Sequence, residues 1–125
     1  MNDLLKIGVV GSRSFNDYKL LKDTLDKYKE NIFLIVSGGA GGADSLGEKW
    51  AKENRVKTLI HKPKWRDEEG NYNASAGFDR NELIVNDSDI IICFWDGLSR
   101  GTENTISIAE KQGKTVIKVF FNKVF

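Results

Sequence analysis

Ile32-Phe33-Leu34-Ile35-Val36-Ser37-Gly38-Gly39-Ala40-Gly41-Gly42-Ala43-Asp44 decides the architecture of this chain. Ile32 to Val36 is a continuous apolar, largely β-branched run, the pattern of a strand buried on both faces. Ser37 to Ala43 is a turn of small residues. Asp44 then opens a stretch to Asn54 in which Leu46, Trp50 and Ala51 recur at helical spacing. A buried strand that turns through glycines into an amphipathic helix is half of a βαβ unit, and such units build parallel sheets covered by helices.

Outward from that unit the alternation continues in both directions. Leu5 to Val10 reads as a first strand ending at Gly11, and residues 17–29 as a first helix with Tyr18, Leu21, Leu25 and Tyr28 on its apolar side and Asn16 as N-cap. Val56 to Ile60 is a third strand, Ala74 to Asn86 a third helix and Ile90 to Phe94 a fourth strand. Thr102 to Gln112 is a fourth helix stopped by Gly113, and Thr115 to Phe121 a last strand. The spacing predicts one α/β domain over residues 1–125, a Rossmann-like three-layer α/β/α with a five-stranded, mainly parallel sheet of order 3-2-1-4-5. Strands one and four then flank the topological switch point, where ligands of such sheets bind. Lys62 to Asn73 breaks the rhythm with the chain's only proline, Pro63, then Trp65, Asp67-Glu68-Glu69 and Gly70. It reads as a loop folding over a ligand, with the acidic cluster as its solvated tip.

The carboxyl ends of the strands carry three polar, glycine-rich loops: Gly11-Ser12-Arg13-Ser14, Ser37 to Asp44, and Trp95-Asp96-Gly97-Leu98-Ser99-Arg100-Gly101-Thr102. Glycines let a backbone approach a ligand closely, and a following helix offers unsatisfied N–H groups and the positive end of its dipole. Such edges bind anions without a lysine. Ser12, Ser37, Ser99 and Thr102 add hydroxyls, while Arg13 and Arg100 add forked donors suited to phosphate. Gly38, Gly39, Gly41 and Gly42 crowd the second loop, yet it lacks the Gly-Lys-Ser/Thr of a P-loop and the spacing of a dinucleotide fingerprint.

Other residues carry two readings each. Arg80 either points into the crevice or lies solvated on its helix, and Asn81 either contacts a ribose or base or is exposed. Trp65 and Trp95 are candidates to stack on a base, with Trp65 alternatively anchoring its own loop. Asp44 is an N-cap, a ribose ligand or both. Trp50 belongs to the core, and Phe120, Phe121 and Phe125 either finish the core or support an interface.

Composition narrows the classes. With 19 basic and 18 acidic residues the net charge is +1, which argues against a nucleic-acid partner but not against a small anion. Cys93 is the single cysteine, so no intrachain disulfide forms and a reducing, cytoplasmic setting is expected. It sits inside a strand as a small buried residue. His61 lacks a matching carboxylate and thiol, so no metal is expected, and no cofactor. Met1 to Lys6 shows no signal-peptide pattern, and no apolar run nears the ~20 residues of a membrane span.

The set Gly11-Ser12-Arg13, Ser37-Gly38-Gly39-Ala40-x-Gly42-Ala43-Asp44, Pro63-x-Trp65, Ala76-Gly77-x-x-Arg80-Asn81 and Phe94-Trp95-Asp96-Gly97-x-Ser99-x-Gly101-Thr102 resembles the YspA-like (YpsA-related) branch of the SLOG superfamily. The resemblance runs from about Ile7 to Val119, motifs in order. It implies a Rossmann-like fold and binding of nucleotides or nucleotide-derived signals. The superfamily includes LOG phosphoribohydrolases, DprA and sensor domains of bacterial immune systems. LOG enzymes pair a third-helix arginine with a glutamate following a Gly-Gly-x-Gly-Thr loop. Arg80 matches the arginine, but Asn104 and Thr105 hold the glutamate positions. The nearest acid, Glu103, is one step early, a turn of about 100° on a helix. The resemblance also implies a homodimer or higher oligomer.

The expected function is binding of a nucleotide-type small molecule, an NAD- or ADP-ribose-like and even cyclic signal, by a sensor or a sequestering protein of the kind a phage needs in evading host defence. The alternatives are a LOG-like phosphoribohydrolase with Arg80 and Glu103 as catalytic pair, and DprA-like binding of single-stranded DNA.

Overall fold

The computed structural model describes residues 4–121. In chain order they form β1 (Leu5–Gly11), α1 (Tyr18–Asp26), a 3-10 turn (Lys29–Asn31), β2 (Ile32–Ser37), α2 (Ala43–Glu53) and β3 (Lys57–Ile60). There follow α3 (Ala76–Asn86), β4 (Ile90–Trp95), α4 (Arg100–Lys111) and β5 (Thr115–Phe120). The five strands pair in the order β3-β2-β1-β4-β5, and every pairing is parallel. The Rossmann-like α/β/α expectation and its strand order are therefore met.

The sheet separates two apolar layers. On one face Ile7, Val9, Ile35 and Phe94 meet Leu21 and Leu25 of α1 and Trp50 and Ala51 of α2. On the other, Val10, Val36, Ile91 and Cys93 meet Ile84 and Val85 of α3 and Ile106 and Ala109 of α4. Central strands β1 and β4 feed both layers, which is why Ile7 to Val10 and Ile90 to Phe94 carry no charged residue. Each large side chain fully buried here contributes roughly 1.5–3 kcal/mol. The Trp50 indole N–H donates to Asp26 at 2.9 Å, so the largest buried ring also ties α2 to α1. Phe15 stacks on Phe94 and meets Phe121 edge-on, both at 4.9 Å between centroids, so Phe121 finishes the core. Phe120 is exposed, and Phe125 lies outside the described residues.

Several boundaries move for identifiable reasons. The cap of α1 is Asp17, one residue beyond Asn16, because its carboxylate accepts from the Leu20 N–H at 3.0 Å. Gly42, not Asp44, occupies the cap position of α2. β3 is an edge strand, and all four of its residues are exposed. Residues 65–73 form a small hairpin rather than an open loop: Arg66 and Tyr72 make an antiparallel bridge, and the Asn73 N–H donates to the Trp65 carbonyl at 2.7 Å. Asp67 organises its tip by accepting from the backbone N–H groups of Glu69 and Asn71 (2.9 and 2.8 Å), and those donors hold its carboxyl below the usual range.

Candidate functional site

The carboxyl edge of the sheet is laced together at the switch point. The Ser12 N–H donates to the Phe94 carbonyl at 3.0 Å, and the Asp96 N–H donates to Ser12 Oγ at 3.2 Å. Loops after β1 and β4 are thus one unit. Asp96 Oδ1 accepts from the backbone of Leu98 and Ser99 (2.8 and 2.9 Å), folding the turn that launches α4. The Ser99 side chain, at the N-cap position, makes no capping hydrogen bond to α4. The first-turn amides of a helix have no intrahelical acceptor, so this end offers donors and the positive dipole end to whatever faces it.

The loop after β2 is built differently. Asp44 Oδ2 accepts from the backbone N–H groups of Gly38 and Ala40 at 3.1 and 3.3 Å. Ser37 Oγ donates to Glu48 at 2.7 Å. The Arg80 guanidinium reaches across from α3 and donates to the Gly38 carbonyl at 2.6 Å and to Asn81 Oδ1 at 3.0 Å. A Cβ on Gly38 would lie 2.6 Å from Arg80 Nη1 and 2.8 Å from Asp44 Oδ2, so only glycine leaves room for this crossing. Burial pushes the Asp44 carboxyl up to about 6, against the opposing pull of its N–H donors and of the Arg80 charge. Burial lowers the Arg80 pKa; the Asp44 charge opposes that shift and the nearby Arg13 charge adds to it. The two arginines therefore form a local concentration of positive charge.

Between these loops lies an open cleft of about 410 Å³, within the ~300–1,000 Å³ typical of small-molecule sites. From the β1 loop it takes Gly11, Ser12 and Arg13, and from the α4 end Asp96, Ser99, Gly101 and Thr102. Asp44, Arg80 and Asn81 close the opposite wall. Val10 and Ile84, which sequence reasoning did not single out, also line it, with Ser14, Ala40 and Thr105, quoted in the sequence only as parts of loops or of the LOG comparison. The Asn81 amide is committed within the protein, donating to Gly101 O and Asn104 Oδ1.

Other candidates fall elsewhere. Ser37, Gly38, Gly39, Gly41 and Gly42 shape the second loop without lining the cleft, and neither Gly97 nor Arg100 lines it. Trp95 and Glu103 line a separate hollow with Ile106, Ser107, Glu110 and Lys118. The Trp95 indole donates to the Ser99 carbonyl at 3.1 Å, and its ring packs against Phe120. Trp95 is thus not placed to stack in the cleft, and Arg80 and Glu103 are not brought together. Thr105, at a LOG glutamate position, does face the cleft; two residue steps on α4, about 200°, separate it from Glu103. Trp65 lines a smaller side pocket that shares Arg13, Arg80, Asn81 and Gly101 with the cleft. His61, expected to lack a carboxylate, has one: its Nε2 lies 2.6 Å from Asp87 Oδ2, a pairing across 26 positions that no local spacing signals. Among the described residues no group of three or more His, Cys, Asp or Glu could hold a metal.

A Rossmann-like sheet with an anion-suited cleft at its switch point defines the class. Residues 5–67 match the family described as YspA, cpYpsA-related SLOG family (YAcAr), and the chain belongs to it. The Gene 61 protein of Mycobacterium phage D29 is 30% identical over 121 residues, covering 90% of this chain and 94% of that protein. An uncharacterized protein of Archaeoglobus fulgidus is 28% identical over 120 residues, covering 90% and 78%. Among solved structures, DNA processing protein A (DprA) from Streptococcus pneumoniae superposes with a TM-score of 0.77 at 21% identity over 92% of this chain, which spans half of that protein. DprA from Helicobacter pylori gives 0.64 at 21% identity over 93% of this chain and 65% of that protein. The structure of TM1055 gives 0.62 at 20% identity, with 93% and 72% covered. The H. pylori protein was solved for its single-stranded DNA binding mode. A near-neutral net charge is therefore too weak a ground for setting nucleic acid aside in this fold. No described helix is long and apolar enough to cross a membrane.

Proposed function

We propose that this chain is a binding protein for a nucleotide or nucleotide-derived phosphate ligand, of the NAD- or ADP-ribose type and including cyclic forms, held in the cleft between β1 and β4. The observation that carries the reading is the convergence on one cleft of Arg13, Arg80 and the N-terminal turn of α4. Guanidinium groups and helix amides together favour a phosphate. The separation of Glu103 from Arg80 favours binding over glycosidic cleavage. A relative of matching length in a phage fits a protein that sequesters a signal; a sensor working with a separate effector uses the same cleft.

Thermal unfolding against a panel of mononucleotides, NAD, ADP-ribose and cyclic nucleotides tests this. A shift with at least one ligand that Arg80→Ala and Arg13→Ala both abolish is the expected result; no shift with any ligand overturns the reading. A second reading, binding of single-stranded DNA, draws on the likeness to the H. pylori protein. A gel shift with an oligonucleotide at two salt concentrations separates it, since phosphate-backbone binding weakens steeply with salt.

A further inference from the structure

The three tryptophans of the described residues have different fates. Trp50 is fully buried and gives its indole N–H to Asp26; Trp95 gives its own to the Ser99 carbonyl. Trp65 is 39% exposed, and among the described residues no acceptor meets its indole N–H. A large aromatic ring left in water costs the fold its burial, so its placement calls for a reason.

That placement is tightly set. Trp65 begins the 65–73 hairpin, whose ends are fixed by the Asn73-to-Trp65 hydrogen bond and the Arg66–Tyr72 bridge. The Tyr72 ring lies nearly parallel to the indole, 9° between planes and 6.2 Å between centroids, and the Arg66 guanidinium sits 5.5 Å from the centre of the Tyr72 ring. The far edge of the indole rests on the first turn of α3. A Cβ at Gly77 would stand 3.5 Å from Trp65 Cη2, in ordinary contact. The ring walls the side pocket of about 160 Å³, with Phe78 beside it and Arg13 and Arg80 at the opening into the main cleft. That volume equals about five waters at ~30 Å³ each, room for one flat ring beside the larger polar chamber.

We propose that this side pocket is the seat of the ligand's aromatic ring, with Trp65 as the stacking surface for a nucleobase whose phosphate lies against Arg13 and Arg80. The inference rests on the nucleotide reading above and adds to it a direction: phosphate toward α4, base toward the hairpin. It also assigns a job to the segment that breaks the strand–helix rhythm, which is to hold one ring still. A ring immobilised in advance loses little freedom on binding, and stacking on an aromatic tolerates any base.

The test compares AMP with ribose 5-phosphate by calorimetric titration of the wild-type protein, Trp65→Ala and Trp65→Phe. Stacking supports a loss of about 10- to 100-fold in AMP affinity for Trp65→Ala. Ribose 5-phosphate affinity stays unchanged, and Trp65→Phe keeps most of the AMP affinity. Wild-type indole fluorescence falls as AMP binds and not as ribose 5-phosphate binds. If AMP binds no tighter than ribose 5-phosphate, or Trp65→Ala leaves AMP binding intact, the base seat is overturned while the phosphate site stands. If Trp65→Ala weakens both ligands equally, the ring has only a structural role and the proposal fails. If neither compound binds the wild-type protein and no ligand of the nucleotide panel shifts its unfolding, the nucleotide reading falls and takes this inference with it; if neither binds but another ligand of the panel does, the base seat for a nucleoside monophosphate is overturned while the nucleotide reading stands.

Discussion

The loops after β2 and β4 look alike in sequence, each a run of small residues leading into a helix, and the protein places them differently against the cleft. In the first, the anion is built in. The Asp44 carboxylate takes the N–H groups of Gly38 and Ala40, and Arg80 is drawn onto the Gly38 carbonyl. In the second, Asp96 likewise takes the N–H groups of Leu98 and Ser99, but Ser99, Gly101 and Thr102 at the start of α4 line the cleft. Glycine density therefore does not distinguish a scaffold from a site. What distinguishes them is whether the glycine at the helix start faces the cleft: Gly101 lines it, and Gly38, Gly39, Gly41 and Gly42 do not.

The hardest test of the contrast falls on Gly42. It sits at φ +73°, and a Cβ there would press into the carbonyls of Ser12 and Arg13. Those atoms are backbone and cannot swing away. Gly42→Ala combines left-handed strain with that clash, so a loss of about 3 kcal/mol or more is expected. Urea denaturation reads it directly. A change below about 1 kcal/mol would mean the first loop is not the rigid scaffold described.

Asp44 gives the next largest effect, with the opposite sign. Its carboxyl rises from 3.8 to about 6 on folding. The folded state thus holds the proton more tightly than the unfolded chain, and stability falls as pH rises from about 4 to about 6, then levels off. A shift of that size corresponds to about 3 kcal/mol at neutral pH. Asp44→Asn keeps an oxygen for the Gly38 and Ala40 amides and removes the charge. It should raise the urea midpoint at pH 7.5, with the gap closing toward pH 4. A gap that does not vary with pH would show that desolvation of Asp44 is not its origin.

Strand order and layering were legible because they follow from burial: β1, β2 and β4 read as apolar on both faces, and helical stripes such as Leu21–Leu25 mark the covering layers. The cleft was legible at the level of loops, and Arg13, Arg80, Ser99, Gly101 and Thr102 do meet there. Side-chain direction was not. Trp95 ends its strand beside the cleft, yet its ring lies against Phe120 and its N–H on Ser99. Nothing in local sequence reports a hydrogen bond to a carbonyl four residues on. The closure of residues 65–73 was hidden for a related reason, since Asp67 reads as one of three solvated acids until its carboxylate is seen gathering backbone amides. His61 and Asp87 meet only through the tertiary fold. The helical step of about 100° per residue puts Glu103 and Thr105, two positions apart, on opposite sides of α4, and they do line different hollows.

The smallest effect on stability sharpens the comparison most. Gly101 lies in the first turn of α4, and a Cβ there meets nothing within 4 Å. Alanine is the better helix former, so Gly101→Ala should stabilise the fold by a few tenths of a kcal/mol and up to about 1. The space that its methyl enters is the shared wall of the cleft and the side pocket. If the second loop keeps its glycine for a ligand, this variant unfolds later than the wild type and still loses its ligand-induced thermal shift. If it keeps the glycine for the fold, stability drops as it does at Gly42. A variant both more stable and fully competent to bind would place the ligand away from the α4 terminus, and the contrast between the two loops would lose its functional meaning.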